Sequence, residues 1–202
     1  MRKSGVVCNI RLTIKEDGNI ISEKTERSHS FVNNFAFLIL HGMDGVSNTD
    51  YRDISNTARP AALSTYYSGG SRFSTAGMDC VWRAGAVVGI AIGTSNSVFS
   101  VLQYCLQTRI AHGSGPGNMY YSEMVNPEDP IFSDPNILLE LSRDFANNSG
   151  AAITVREIGL GGLCAYRYMN SAETLFIRDV IADTVVNGGQ VLNVKYIFKT
   201  VV

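Results

Sequence analysis

The feature that most constrains this chain is the strict alternation at its C-terminal end. Between Val191 and Val202, Leu192, Val194, Tyr196 and Phe198 fall on one side, while Asn193, Lys195, Ile197 and Lys199 fall on the other. A period of two is that of a strand with one buried face, and a helix would scatter those apolar residues around its axis. Val6 to Ile14 repeats the pattern, with Cys8, Ile10, Leu12 and Ile14 set against Asn9, Arg11, Thr13 and Lys15. Glu16-Asp17-Gly18-Asn19 then turns the chain into a second strand beginning at Ile20 and Ile21, because Asp-Gly accepts the positive φ of a tight hairpin.

Further strands follow from the same reasoning. Ala86 to Gly93 (AVVGIAIG) is a short apolar run of the kind buried on both faces, and Met119 to Met124 is a further strand. Ile137 to Phe145 and Ala151 to Leu160 are expected to form an antiparallel hairpin across Asn147-Asn148-Ser149-Gly150. Glu173 to Ile181 and Val191 to Val202 are expected to pair across Asn187-Gly188-Gly189. Two segments have helical spacing instead: Phe31 to Met43, and Val98 to Ile110, the latter with Val98, Val101, Leu102, Cys105, Leu106 and Ile110 on one side. Ser95 or Asn96 is the expected N-cap of that second helix.

Short strands between turn signals, with one or two short helices, predict a mainly β chain: an antiparallel, jelly-roll-like β-sandwich. The 202 residues suffice for one core, and a single β-rich domain over 1–202 is expected. A boundary near Asn126 to Pro135 would leave the preceding part with too few strands. Within the domain, 44–79 is a long excursion rich in Ser, Thr, Asn, Gly and Tyr. A structureless loop of that length is uncommon, so small strands or contact with a neighbouring subunit are expected there. Its Tyr51, Tyr66 and Tyr67 are the candidate interface residues, and covering the local core is the competing role for them.

Composition narrows the function classes. Charged residues make up 17% of the chain against 45% hydrophobic, and the formal charge is −1. Up to Val101 there are ten basic and eight acidic residues, and after it seven and ten, dispersed singly. Nucleic-acid binding by counterion release needs a basic stripe, so no specific nucleic acid is expected as partner. No apolar run of about 18 residues exists to span a membrane. The N-terminus is interrupted by Asn9, Arg11 and Lys15 before a signal-peptide core could form, so synthesis in a reducing cytoplasm is expected. Cys8, Cys80, Cys105 and Cys164 form no C-x-x-C pair and read as buried free thiols rather than metal ligands.

Motifs for catalysis are weak throughout. His112-Gly-Ser-Gly-Pro-Gly-Asn118 has the glycines of a phosphate loop but neither its Lys-Ser/Thr ending nor a helix after it. Ser95 lies outside any G-x-S-x-G context, and His29, His41 and His112 have no local partner motif for a triad, although a hydrolase would have to use one of them. Glu128, Asp129 and Asp134 lack calcium-loop spacing and read as a solvated loop. Arg156 and Glu157, with Arg178 and Asp179, are placed to make cross-strand ion pairs that fix register. Asn147-Asn148-Ser149 has glycosylation spacing, but without a secretory signal it reads as a turn. No enzyme activity, cofactor or metal is expected.

Three stretches in order carry a resemblance: Arg143-Asp-Phe145-Ala-Asn147-Asn-Ser149-Gly150, then Ile153-Thr-Val155-Arg-Glu157-Ile-Gly159-Leu160, then Gly189-Gln-Val-Leu192-Asn-Val194-Lys-Tyr196. Gly93-Thr94, Tyr104-Cys-Leu106 and Phe31 to Phe35 extend it over most of the chain. The chain resembles tailed-bacteriophage virion proteins in these stretches and departs from them in the excursion after Met43. The resemblance implies a non-enzymatic component of the head, neck or tail, located in the virion and present in multiple copies, whose partners are copies of itself and other virion proteins. The alternative expectation is a module that binds host-surface glycans or a receptor, with Tyr66 and Tyr67 as contacts.

Overall fold

In the computed structural model, which describes residues 5–28, 30–36, 50–60, 89–125, 131–134, 136–166 and 170–201, the alternating segments at the two ends of the chain lie side by side. Strand β1 (Gly5–Glu16) pairs antiparallel with β11 (Val191–Val201), so that Cys8 meets Phe198, Ile10 meets Tyr196 and Leu12 meets Val194. Cross-strand partners share a face, and these are the residues that alternation assigns to the core. β2 (Asn19–Ser28) adds to the other side of β1 through a two-residue turn. Asp17 and Gly18 both take positive φ there, 49° and 80°, as a hairpin turn matched to strand twist requires.

β8 (Asn136–Ala146) and β6 (Tyr120–Val125) complete this first sheet in the order β2-β1-β11-β8-β6, with the short β7 (Ile131–Ser133) also on β8. The second sheet has the order β10-β9-β5, from β10 (Asn170–Val186), β9 (Ile153–Tyr166) and β5 (Gly89–Gly93). Both sheets are antiparallel. β3 (Asp50–Arg52) and β4 (Ala58–Pro60) form a separate small hairpin inside the excursion. One hydrophobic core takes Cys8, Ile10, Leu12, Phe145, Leu192, Val194 and Tyr196 from the first sheet and Ile90, Ile92, Val155, Ile158, Ile177 and Val186 from the second. The mainly β antiparallel sandwich inferred from periodicity is therefore present. β5 is buried at all five positions, as its apolar run implied.

Two strand pairings differ from expectation. β8 and β9 belong to different sheets, as do β10 and β11, so neither pair is a hairpin; the chain crosses the sandwich at both connections. Asn147 fastens the crossings together. Its amide nitrogen donates to Ala151 O and Val186 O at 2.7 Å each, and its backbone exchanges bonds with Gln190 O and the Gly189 N–H. A polar four-residue connection serves a corner as well as a hairpin, and crossing lets strands with one apolar face bury them against each other.

The helix expected over Val98 to Ile110 is absent; the segment 94–110 is an irregular loop. Val98 is 88% and Leu102 71% exposed, so the helically spaced residues never form a buried stripe. Its backbone bonds run to the second sheet and back within the loop: Ile110 N–H donates to Ile92 O of β5, and Thr94 N–H to Thr108 O, both at 2.9 Å. Ser95, with no helix to cap, accepts the Ser97 N–H through its hydroxyl at 3.1 Å. Of the segment Phe31 to Met43, residues 33–36 form one helical turn, with Phe31 and Phe35 packed on the core; 37–43 lie outside the described residues. Among the described residues no helix is long and apolar enough to cross a membrane.

Candidate functional site

The outer face of the second sheet, away from the core, carries two features built on the run Glu157-Ile158-Gly159-Leu160-Gly161-Gly162 of β9. Ile158 and Leu160 point into the core, which turns Glu157, Gly159 and Gly161 outward beneath the loop 94–110. The glycines are needed for close approach. A Cβ on Gly159 would come within 2.9 Å of both Leu106 Cδ2 and Leu175 Cδ1, and one on Gly161 within 2.6 Å of the Thr174 carbonyl oxygen.

The first feature is a fully buried ion pair. Arg178 Nε donates to Glu157 Oε2 at 2.7 Å, and neither side chain is exposed. Glu157 also accepts the Thr108 and Gln107 amides at 2.7 and 3.1 Å. Arg178 directs three of its four remaining donors to Ser97 O, Gln103 Oε1 and Ser97 Oγ. Apart from the bond that joins them, these side-chain bonds all go to the loop, so the pair is a clasp that holds 97–108 on the sheet.

The second feature is a cavity of about 380 Å³ beside the clasp. Gly89, Ala91, Gly159 and Gly161 floor it, and Leu106, Leu175 and Ile54 wall it. Polar groups enter from two sides, Arg109 from the loop and Glu173 from β10. Burial pushes the half-buried Glu173 carboxyl above its ordinary pKa, and the Arg109 charge opposes that shift. Yet among the described residues neither makes an ion pair. Cys105 lines the same space as a free, partly exposed thiol. Its pKa is raised by burial and by the charge of Glu157, against the cations Arg178 and Arg109.

Other buried polar groups join the sheets. Asp179 accepts Ser28 Oγ at 2.9 Å and the Tyr196 hydroxyl at 3.2 Å across the core. Arg143 donates to Ile90 O at 2.9 Å and sits over the Tyr121 ring at 5.4 Å. In the small hairpin, burial raises the pKa of Asp53, but the Thr57 and Ser55 amides and Arg59 outweigh it and hold the carboxyl below its ordinary value.

Of the residues singled out from sequence, Tyr51 lies in β3 opposite Arg59, while Tyr66 and Tyr67 lie outside the described residues, as do His29, His41, Glu128 and Asp129. His112 is exposed, accepts the Tyr121 N–H at 3.1 Å through Nδ1 and packs on the Tyr120 ring. Asp134 is exposed. Arg178 and Glu157 form the expected cross-strand pair, whereas Arg156 pairs with Asp183 and Asp179 turns to Ser28 and Tyr196. Cys8 is a buried free thiol, as expected, and Cys105 a partly exposed one. Among the described residues no three His, Cys, Asp or Glu side chains converge as metal ligands would. The cavity residues Arg109 and Glu173 escaped sequence reasoning; the available signal was Gly159, Gly161 and Gly162 in one strand interior, which marks a backbone approached closely from outside. Compared with protein-family models, with curated proteins and with solved structures, the chain matches none.

Proposed function

We propose that this protein is a non-enzymatic structural component of a tailed-phage particle that assembles through its β-domain with copies of itself and other virion proteins. The phage assignment rests on the ordered motifs of the sequence. The observation that carries assembly is a row of side chains on the core face of the first sheet. Beyond Cys8, Phe198 and Leu139, the next positions on that face are Val6, Thr200 and Ile137, with Phe132 of β7 paired to Ile137. Val6 is 67% and Phe132 76% exposed. An apolar core face continuing into solvent across several strands suits burial by a second copy, and the low charge of the chain suits it too.

Light scattering on the purified protein tests the assembly: a concentration-dependent oligomer is expected, and Phe132→Asp is expected to shift it toward monomer. A strict monomer at high concentration overturns the assembly reading. Detection of the chain among the proteins of purified phage particles tests the assignment, and its consistent absence from them overturns it. The second reading, recognition of a host glycan or receptor, rests on the sequence of the excursion, whose Tyr66 and Tyr67 are the candidate contacts. It predicts glycan-array binding that Tyr66→Ala or Tyr67→Ala abolishes.

A further inference from the structure

We propose that the cavity over the second sheet binds a small α-amino-acid zwitterion with an aliphatic side chain, its ammonium at Glu173, its carboxylate at Arg109 and its side chain on the glycine floor. This site stands apart from the assembly reading and does not depend on it. The argument starts from the cavity's size, about 380 Å³, at the small end of ligand pockets, which run from roughly 300 to 1,000 Å³. A single amino acid or a compound of that size fits within it, and an oligosaccharide does not.

Chemistry then selects within that size. The floor and walls are glycine, alanine, leucine and isoleucine, which favour an aliphatic body. Among the described lining residues there is no aromatic platform on which a sugar ring would stack. Glu173 is a half-buried carboxyl with no hydrogen-bond partner for its side chain among the described residues, and a desolvated acid gains most from a cationic donor. Arg109 lies close enough to act on the Glu173 charge, yet no ion pair joins the two. An acid and a base that face one cavity without meeting are satisfied together by a ligand carrying both opposite charges. A purely apolar ligand would leave Glu173 desolvated, and a phosphate would be repelled by it.

The test is calorimetric titration of the full chain with L-leucine, 4-methylpentanoate, leucinamide and glycine. The first analogue lacks the ammonium, the second the carboxylate and the last the side chain. L-leucine is expected to bind, with each of the other three weaker by about tenfold or more: 4-methylpentanoate and leucinamide each lose one charge-assisted contact, and glycine loses the burial of the aliphatic side chain. Glu173→Gln and Arg109→Gln are each expected to weaken L-leucine by a similar factor while leaving the thermal melt unchanged; neither residue belongs to the core or the clasp. Absence of L-leucine binding at millimolar concentration overturns the proposal. So does equal binding of leucinamide or 4-methylpentanoate, or an affinity that neither substitution alters.

Discussion

Glu157 shows how one side chain can decide the course of a loop. Its two oxygens take the Arg178 guanidinium and the amides of Gln107 and Thr108, so 97–108 lies flat on the sheet where its own apolar spacing favours a helix. Removing the carboxylate strands Arg178 as a buried charge. Glu157→Ala is therefore expected to destabilise the fold by about 3 to 5 kcal/mol in urea denaturation, and to speed hydrogen exchange at the Gln107 and Thr108 amides. Pairing it with Arg178→Met should cost less than the sum of the single changes, because the uncompensated charge is gone. Additive losses would show that the clasp does not exist as a unit. Sequence placed Arg156, Glu157, Arg178 and Asp179 near one another but could not sort their partners. The register slips from Val180 opposite Glu157 to Thr184 opposite Val155, so Val155 and Ile158 both face the core and strict alternation fails at that point. Arg156 is thereby left facing Asp183, in the inserted stretch of β10.

Elements were legible in the sequence to the extent that they are local. The β1–β2 hairpin needs two residues with positive φ between two alternating runs, and Asp17-Gly18 announces that without reference to the rest of the chain. The corners after β8 and β10 announce only that a strand ends. Whether the next strand folds back beside it or crosses to the other sheet depends on what else is available to pair, and β11 finds β1, at the other end of the chain, and β8, which precedes β9. Asn147 records the outcome, since its side chain holds the first crossing to the second through Ala151 O and Val186 O. Asn147→Ala leaves two carbonyls without that donor, at an expected loss of about 2 to 3 kcal/mol. The exposed neighbour Asn148→Ala should change stability by no more than about 0.5 kcal/mol. Equal effects of the two in chemical denaturation would mean that Asn147 is only a loop residue. The candidate site was the least legible part, because Arg109 of the loop, Glu173 of β10 and the glycine floor of β5 and β9 are brought together only by the sheet pairing.

At the scale of the molecule, two sheets share one core, and Cys8 reports whether they part. It sits on β1 facing the second sheet, and burial, followed by the charge of Asp179, pushes its thiol up to about 12 against a lowering bond to Ser28. Alkylation requires a thiolate and access to it, and Cys8 gains both only when β1 leaves β10. Cys105 belongs to the loop clasped on the outer face and is already partly exposed. With iodoacetamide near neutral pH and peptide mapping of the products, Cys105 is expected to react in native buffer while Cys8 stays protected. As urea is added, Cys8 modification should rise with the same slope as global unfolding, and Cys105 modification should rise less steeply through local opening of the loop. Weakening the clasp with Glu157→Ala should speed Cys105 more than the loss of global stability accounts for, and should speed Cys8 only by that loss. Rapid native labelling of Cys8 would mean that the sheets separate on their own.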